Sequence, residues 1–124
     1  MTGPLTGAAG VAARSWAAGT AAAGAVALLR AQQVARLVSG RGAAPGPAVV
    51  RILGARQLLQ GTAILVRPTP LLLFVGATVD VLHAASMVAA AVIWSRYRRP
   101  ALTSAAVAAT SGAAGAGIIR RGQR

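Results

Sequence analysis

Four apolar runs, each near the length of about 20 residues needed to cross roughly 30 Å of hydrocarbon as a helix, alternate along this chain with short clusters of arginine, glycine and proline. The runs cover residues 11–29, 48–66, 71–94 and 101–119 and predict an all-α fold, a polytopic bundle of about four transmembrane helices forming one membrane domain. Between the first two, residues 30–38 space Val34, Leu37 and Val38 among charged and amide side chains. That spacing predicts an amphipathic helix lying along the membrane surface. Gly40, Gly42, Pro45, Gly46 and Pro47 then break the helix, as residues of these types do.

The runs differ in how well they suit lipid. The third, opening Leu71-Leu72-Leu73-Phe74-Val75, is the most apolar, and Trp94 and Tyr97 mark its far interface, where aromatic side chains settle. The second carries Arg51, Arg56, Gln57 and Gln60, which lipid tolerates only where they face other helices, water or headgroups. The first is mostly alanine, with Trp16 near one end and an Arg14 that must reach outward. The last repeats small residues at Ser104, Ala108, Gly112 and Ala116, a ridge of the kind that admits close helix approach.

Composition sharpens the reading. Apolar residues make up 56% of the chain and charged residues 11%, against about 25% charged in soluble domains. A chain of 124 residues has too much surface for its volume to hide that apolar area from water. The basic residues are all arginine and bring the formal net charge to +12, a balance that would suit nucleic acid if it formed one stripe. Instead it punctuates the runs, at Arg30, Arg36, Arg41, Arg67, Arg96, Arg98, Arg99, Arg120, Arg121 and Arg124, as flanking charge does in membrane proteins. No nucleic-acid partner is expected; the lipid bilayer is, with helix contacts to a second copy or another membrane protein. The loops holding Arg30 to Arg41 and Arg96 to Arg99 carry one arginine more than the side with both termini, which tilts them toward the cytoplasm. With no cysteine, thiolate metal sites and thiol catalysis are excluded. The N-terminal run loosely resembles a secretory signal, but it has no side-chain charge before Arg14 and meets Arg30 directly. It is read as a span.

One polar constellation emerges by counting outward from Pro68, at the centre of the reversal 67–70. Arg56 lies twelve residues before it and Asp80, the single acid, twelve after. Both should therefore lie about 18 Å from the turn at about 1.5 Å per residue, near the bilayer midplane, where an unpaired charge is costly. Gln60 stacks one turn from Arg56; His83 and Ser86 continue the face of Asp80. The expected intramembrane cluster is Arg56, Gln60, Asp80, His83, Ser86 and, approaching along its own helix, Arg51. In the plainest account an ion pair fixes helix register and His83 bonds a neighbour; in a functional one, Asp80 stays ionised and His83 carries protons. A hydrolase triad of Ser86, His83 and Asp80 fails because successive turns of one helix project side chains in parallel. One His and one Asp cannot complete a metal site within one chain, since such a site wants three or four ligands; only an oligomer could build one. No catalytic residues, cofactor or metal are expected.

Residues 51–61, RILGARQLLQG, the proline turn, and residues 76–87, GATVDVLHAASM, resemble small four-helix membrane proteins common in actinobacteria, broadly DoxX-like in organisation. The likeness covers about a third of the chain and implies the hairpin and four spans; those groups share no agreed activity. The expected function is that of a small integral, multi-pass protein of the cell membrane, a structural or accessory subunit without catalysis of its own. The alternative is a proton-linked carrier or small-molecule-binding membrane protein built on the Arg/Asp/His cluster.

Overall fold

The computed structural model describes residues 2–124, and helices joined by short turns account for nearly all of them, with no strand. Helix α1 spans Gly7–Leu29, α2 Ala31–Ser39, α3 Pro47–Val66, α4 Pro70–Ile93 and α5 Arg98–Gly122, with a 3₁₀ turn at Ser95–Tyr97 before α5. The short helix predicted for residues 30–38 is α2, at Ala31–Ser39. It is separated from α1 by a non-helical Arg30 (φ −127°, ψ 37°). Gly40 ends it at φ +57°, a backbone region that costs glycine little.

Proline sets the central reversal. A residue preceding proline is pushed out of the α region; Arg67 lies at φ −141°, ψ 82° and α3 stops at Val66. Thr69 then caps α4, its Oγ1 accepting from the Leu72 amide at 3.2 Å, and Pro70 takes the first helical position, where its missing N–H is no loss. The Pro68 carbonyl accepts from the Leu5 amide at 2.7 Å, which holds the N-terminal segment against this turn.

The long helices alternate in direction and associate as two tight pairs. In the α1/α3 pair the backbones touch: a Cβ added at Gly24 would lie 2.5 Å from the Leu58 nitrogen, and one at Gly61 would lie 2.6 Å from the Ala21 nitrogen. In the α4/α5 pair the buried seam of α5 is Ala101, Ala105, Ala108, Gly112 and Gly115. This corrects the small-residue ridge expected from the sequence, since Ala116 is exposed. A strict stride of four drifts around a helix of about 3.6 residues per turn, whereas alternating strides of four and three stay on one face.

Between the pairs contact is sparser, with α3 and α4 touching at few points despite being joined by a turn of three residues. Ala13, Ala17, Ile64, Leu73 and Ile118 close the bundle near the Pro68 turn. Ala27, Ala31, Ala35 and Val50 form a second small core where α1, α2 and α3 meet.

Large and small apolar residues are distributed opposite to the habit of soluble domains. Among the described residues nine of the thirteen buried apolar ones are alanines, while Ile52, Leu59, Phe74, Val81, Leu82 and Val92 face outward at 55–74% exposure. In water, Ile, Leu, Val and Phe are the residues most often buried. Three segments, Pro47–Val66, Pro70–Ile93 and Ser95–Gly122, are long and apolar enough to cross a membrane. The fourth expected span is a helix of sufficient length, α1 at 23 residues. It is missing from those three, its run being alanine and glycine interrupted by Arg14.

Candidate functional site

The α3–turn–α4 hairpin places positions equidistant from Pro68 opposite one another. Arg56 on α3 and Asp80 on α4 form an ion pair through Arg56 Nη2 and Asp80 Oδ1. Gln60 Nε2 donates a long hydrogen bond, 3.4 Å, to Asp80 Oδ2. The same register seats Gln60 against Gly76, where an added Cβ would come within 2.8 Å of Gln60 Nε2. Glycine at position 76 is thus what lets the Gln60 amide reach along α4 toward the carboxylate.

Burial is uneven across the pair. The Asp80 side chain is 6% exposed and that of Arg56 25%. Arg56 Nε is buried with no hydrogen-bond partner among the described residues, and an unmet buried donor costs about 1–3 kcal/mol. The carboxylate is thus the better satisfied member of the pair.

His83, one turn beyond Asp80, turns to α5 instead of α3, and its Nε2 shares a hydrogen bond of 2.8 Å with Ser104 Oγ. Which of the two donates depends on the tautomer. Ser104 appeared in the sequence only as a member of the small-residue ridge. Its pairing with a histidine 21 positions away depends on how α4 and α5 align, which residue spacing alone does not give.

Two of the expected cluster members lie elsewhere. Ser86 is exposed and donates to the Leu82 carbonyl of its own helix at 2.8 Å, because three residues past His83 the face of α4 has rotated out of the interior. Arg51 is exposed near the start of α3; it lies seventeen residues before Pro68, too far from the turn to share the depth of Asp80. The structure therefore gathers Arg56, Gln60 and Asp80 into one network and sets His83 with Ser104 beside it.

Both groups face a cleft of about 550 Å³ between the helix pairs, within the range of about 300–1,000 Å³ usual for small-molecule sites. Leu53, Gln57, His83, Met87, Ser104 and Val107 line its middle, and Thr20 and Ala27 of α1 complete the wall. Toward the α2 end, Val34, Val38, Pro45 and Trp94 surround it. The lining is mainly apolar, with the polar side chains concentrated where α3, α4 and α5 converge. Neither this void nor the part Gln57 takes in it was visible in the sequence, because a cavity depends on how far two helix pairs splay.

The arrangement has the elements of a binding site: a largely apolar enclosure, a few converging polar groups, and an internal charge pair that leaves the interior neutral. No protein-family model matches the chain, and no curated protein or solved structure matches it either.

Proposed function

We propose that this protein is a multi-pass integral protein of the cell membrane, a four-helix bundle with α1 as the fourth span, that binds a small molecule in the cleft between its two helix pairs. The DoxX-like likeness of the hairpin fits that organisation and adds nothing about the ligand. The observation that carries the reading is the cleft of about 550 Å³ into which Arg56, Gln60, Asp80, His83 and Ser104 all converge. A register-fixing ion pair alone accounts for Arg56 and Asp80; it does not account for a void of that size beside them, between the two helix pairs. Proton-linked carriage is the form this binding takes if His83 changes protonation during the cycle.

The test is to extract the protein with its surrounding lipid in polymer discs and identify retained small molecules by mass spectrometry, comparing the native chain with Leu53→Trp, which fills the cleft. A compound retained at near-stoichiometric amounts by the native chain and lost from the variant supports binding. Equal recovery of bulk lipid alone from both contradicts it.

A second reading, a structural or accessory subunit, draws on α1. Its outer face is built of Ser15, Ala18, Gly19, Ala22 and Ala23, all exposed, and a Cβ at Gly19 would meet nothing within 4 Å. Small residues on a membrane helix admit another helix closely. Co-purification of a second membrane protein that is lost on Gly19→Leu favours this role.

A further inference from the structure

We infer that the cleft takes a neutral, membrane-dissolved amphiphile with a hydroxyl or ester head and a single hydrocarbon chain, entering sideways from the bilayer between α1 and α5. This rests on the binding role proposed above and adds the class of ligand and its route.

The route follows from two voids that share a wall. A shallow groove of about 320 Å³ on the surface between α1 and α5 is lined by Trp16, Ala106, Val107, Thr110 and Ser111. Val107 and Ser111 line the central cleft as well. The groove lies midway along α5, among side chains that face outward from the bundle, so it opens on hydrocarbon when the bundle sits in a membrane. Toward the other end Val34 and Val38 of α2 with Pro45 and Gly46 form the cleft wall, and the Arg99 guanidinium is packed on Gly40.

The head group follows from charge. The cleft holds one guanidinium and one carboxylate, already paired, so an entering anion has only the His83 imidazole left to meet it and an entering cation nothing, and isolated charge at this depth is costly. A hydroxyl or ester brings none and finds both kinds of partner, acceptors on Asp80 and Ser104 and amide donors on Gln57 and Gln60. The remaining wall, with Leu53, Met87 and Val107, suits a hydrocarbon chain.

Photo-crosslinking in phosphatidylcholine discs tests both parts. The probes are a monoacylglycerol with a diazirine in its chain and the fatty acid of the same chain at a pH where it is ionised. Unlabelled monoacylglycerol serves as competitor. Expected is saturable labelling at Gln57 and Met87 by the neutral probe, roughly tenfold above the carboxylate, with the labelling rate cut roughly tenfold when the groove is narrowed by Thr110→Trp or Ala106→Trp. Both substitutions fall on exposed positions, and unchanged helical circular dichroism verifies their folding.

Equal or stronger cleft labelling by the carboxylate overturns the neutral head. Unchanged rates in both groove variants overturn the lateral route. Absence of saturable cleft labelling by either probe overturns the whole inference. In that case a compound still retained by the native chain and lost from Leu53→Trp leaves the binding role standing, and its absence removes both.

Discussion

Asp80 is the only acid in the chain, and among the described residues the guanidinium paired with it is that of Arg56. Breaking a buried pair from one side strands the other charge, at about 3–5 kcal/mol, whereas removing both is often close to neutral. Asp80→Ala and Arg56→Ala should therefore each lower the thermal midpoint of the protein in discs, and the double variant should recover most of the loss. A double variant as unstable as the sum of the two singles would mean that the pair contributes no coupling. This pairing was legible from the sequence because a short proline turn converts residue number directly into depth, with Arg56 and Asp80 equally far from Pro68. His83–Ser104 and the outward turn of Ser86 were not, since both depend on helix rotation, and the short α4–α5 connection does not set His83 and Ser104 at matching counts: one lies ten residues before Ile93, the other six after Arg98.

Among the elements, the pairing of α1 with α3 is the feature most sensitive to a single atom. Gly24, Gly54 and Gly61 bring the two backbones together, so that a Cβ at Gly54 would lie 2.8 Å from both the Ala27 Cβ and the Gly24 carbonyl oxygen. Backbone cannot give way as a flexible side chain does. Gly54→Val should separate the helices and lower the thermal midpoint by several degrees, while Gly117→Val, where the space is open, should leave it within about a degree. Similar midpoints for the two variants would show that the close approach contributes little. The helices themselves were legible from apolar runs, arginine clusters and the Gly/Pro loop. Which helices touch was not: in an alanine-rich chain nearly every face looks like a small-residue seam, and the true one on α5 differs from a stride of four only by its alternation with three.

For the whole molecule, the account depends on what surrounds the outward-facing isoleucines, leucines and valines. The core is assembled mainly from alanine and glycine, with Val50, Ile64, Leu73 and Ile118 among them, and most bulky apolar side chains form the exterior; water would penalise that surface at about 25 cal/mol per Å², whereas hydrocarbon does not. Arg30, Arg36, Arg41, Arg51, Arg96, Arg98 and Arg99 gather toward one end and Arg67, Arg120, Arg121 and Arg124 toward the other, with Arg14 about two turns inside that second end on the exposed face of α1, leaving between them a band whose inward-facing guanidinium, that of Arg56, is paired. Because the chain has no cysteine, single cysteines can report on that band without background. The decisive measurement is the rate at which Leu59→Cys and Leu82→Cys, both more than half exposed, react with a water-soluble maleimide in permeabilised membrane vesicles, set against Gly42→Cys in the loop. Near-silence at Leu59 and Leu82 beside rapid labelling at Gly42 is the predicted result, with full reactivity returning on denaturation; labelling of all three at comparable rates in the intact membrane would contradict it.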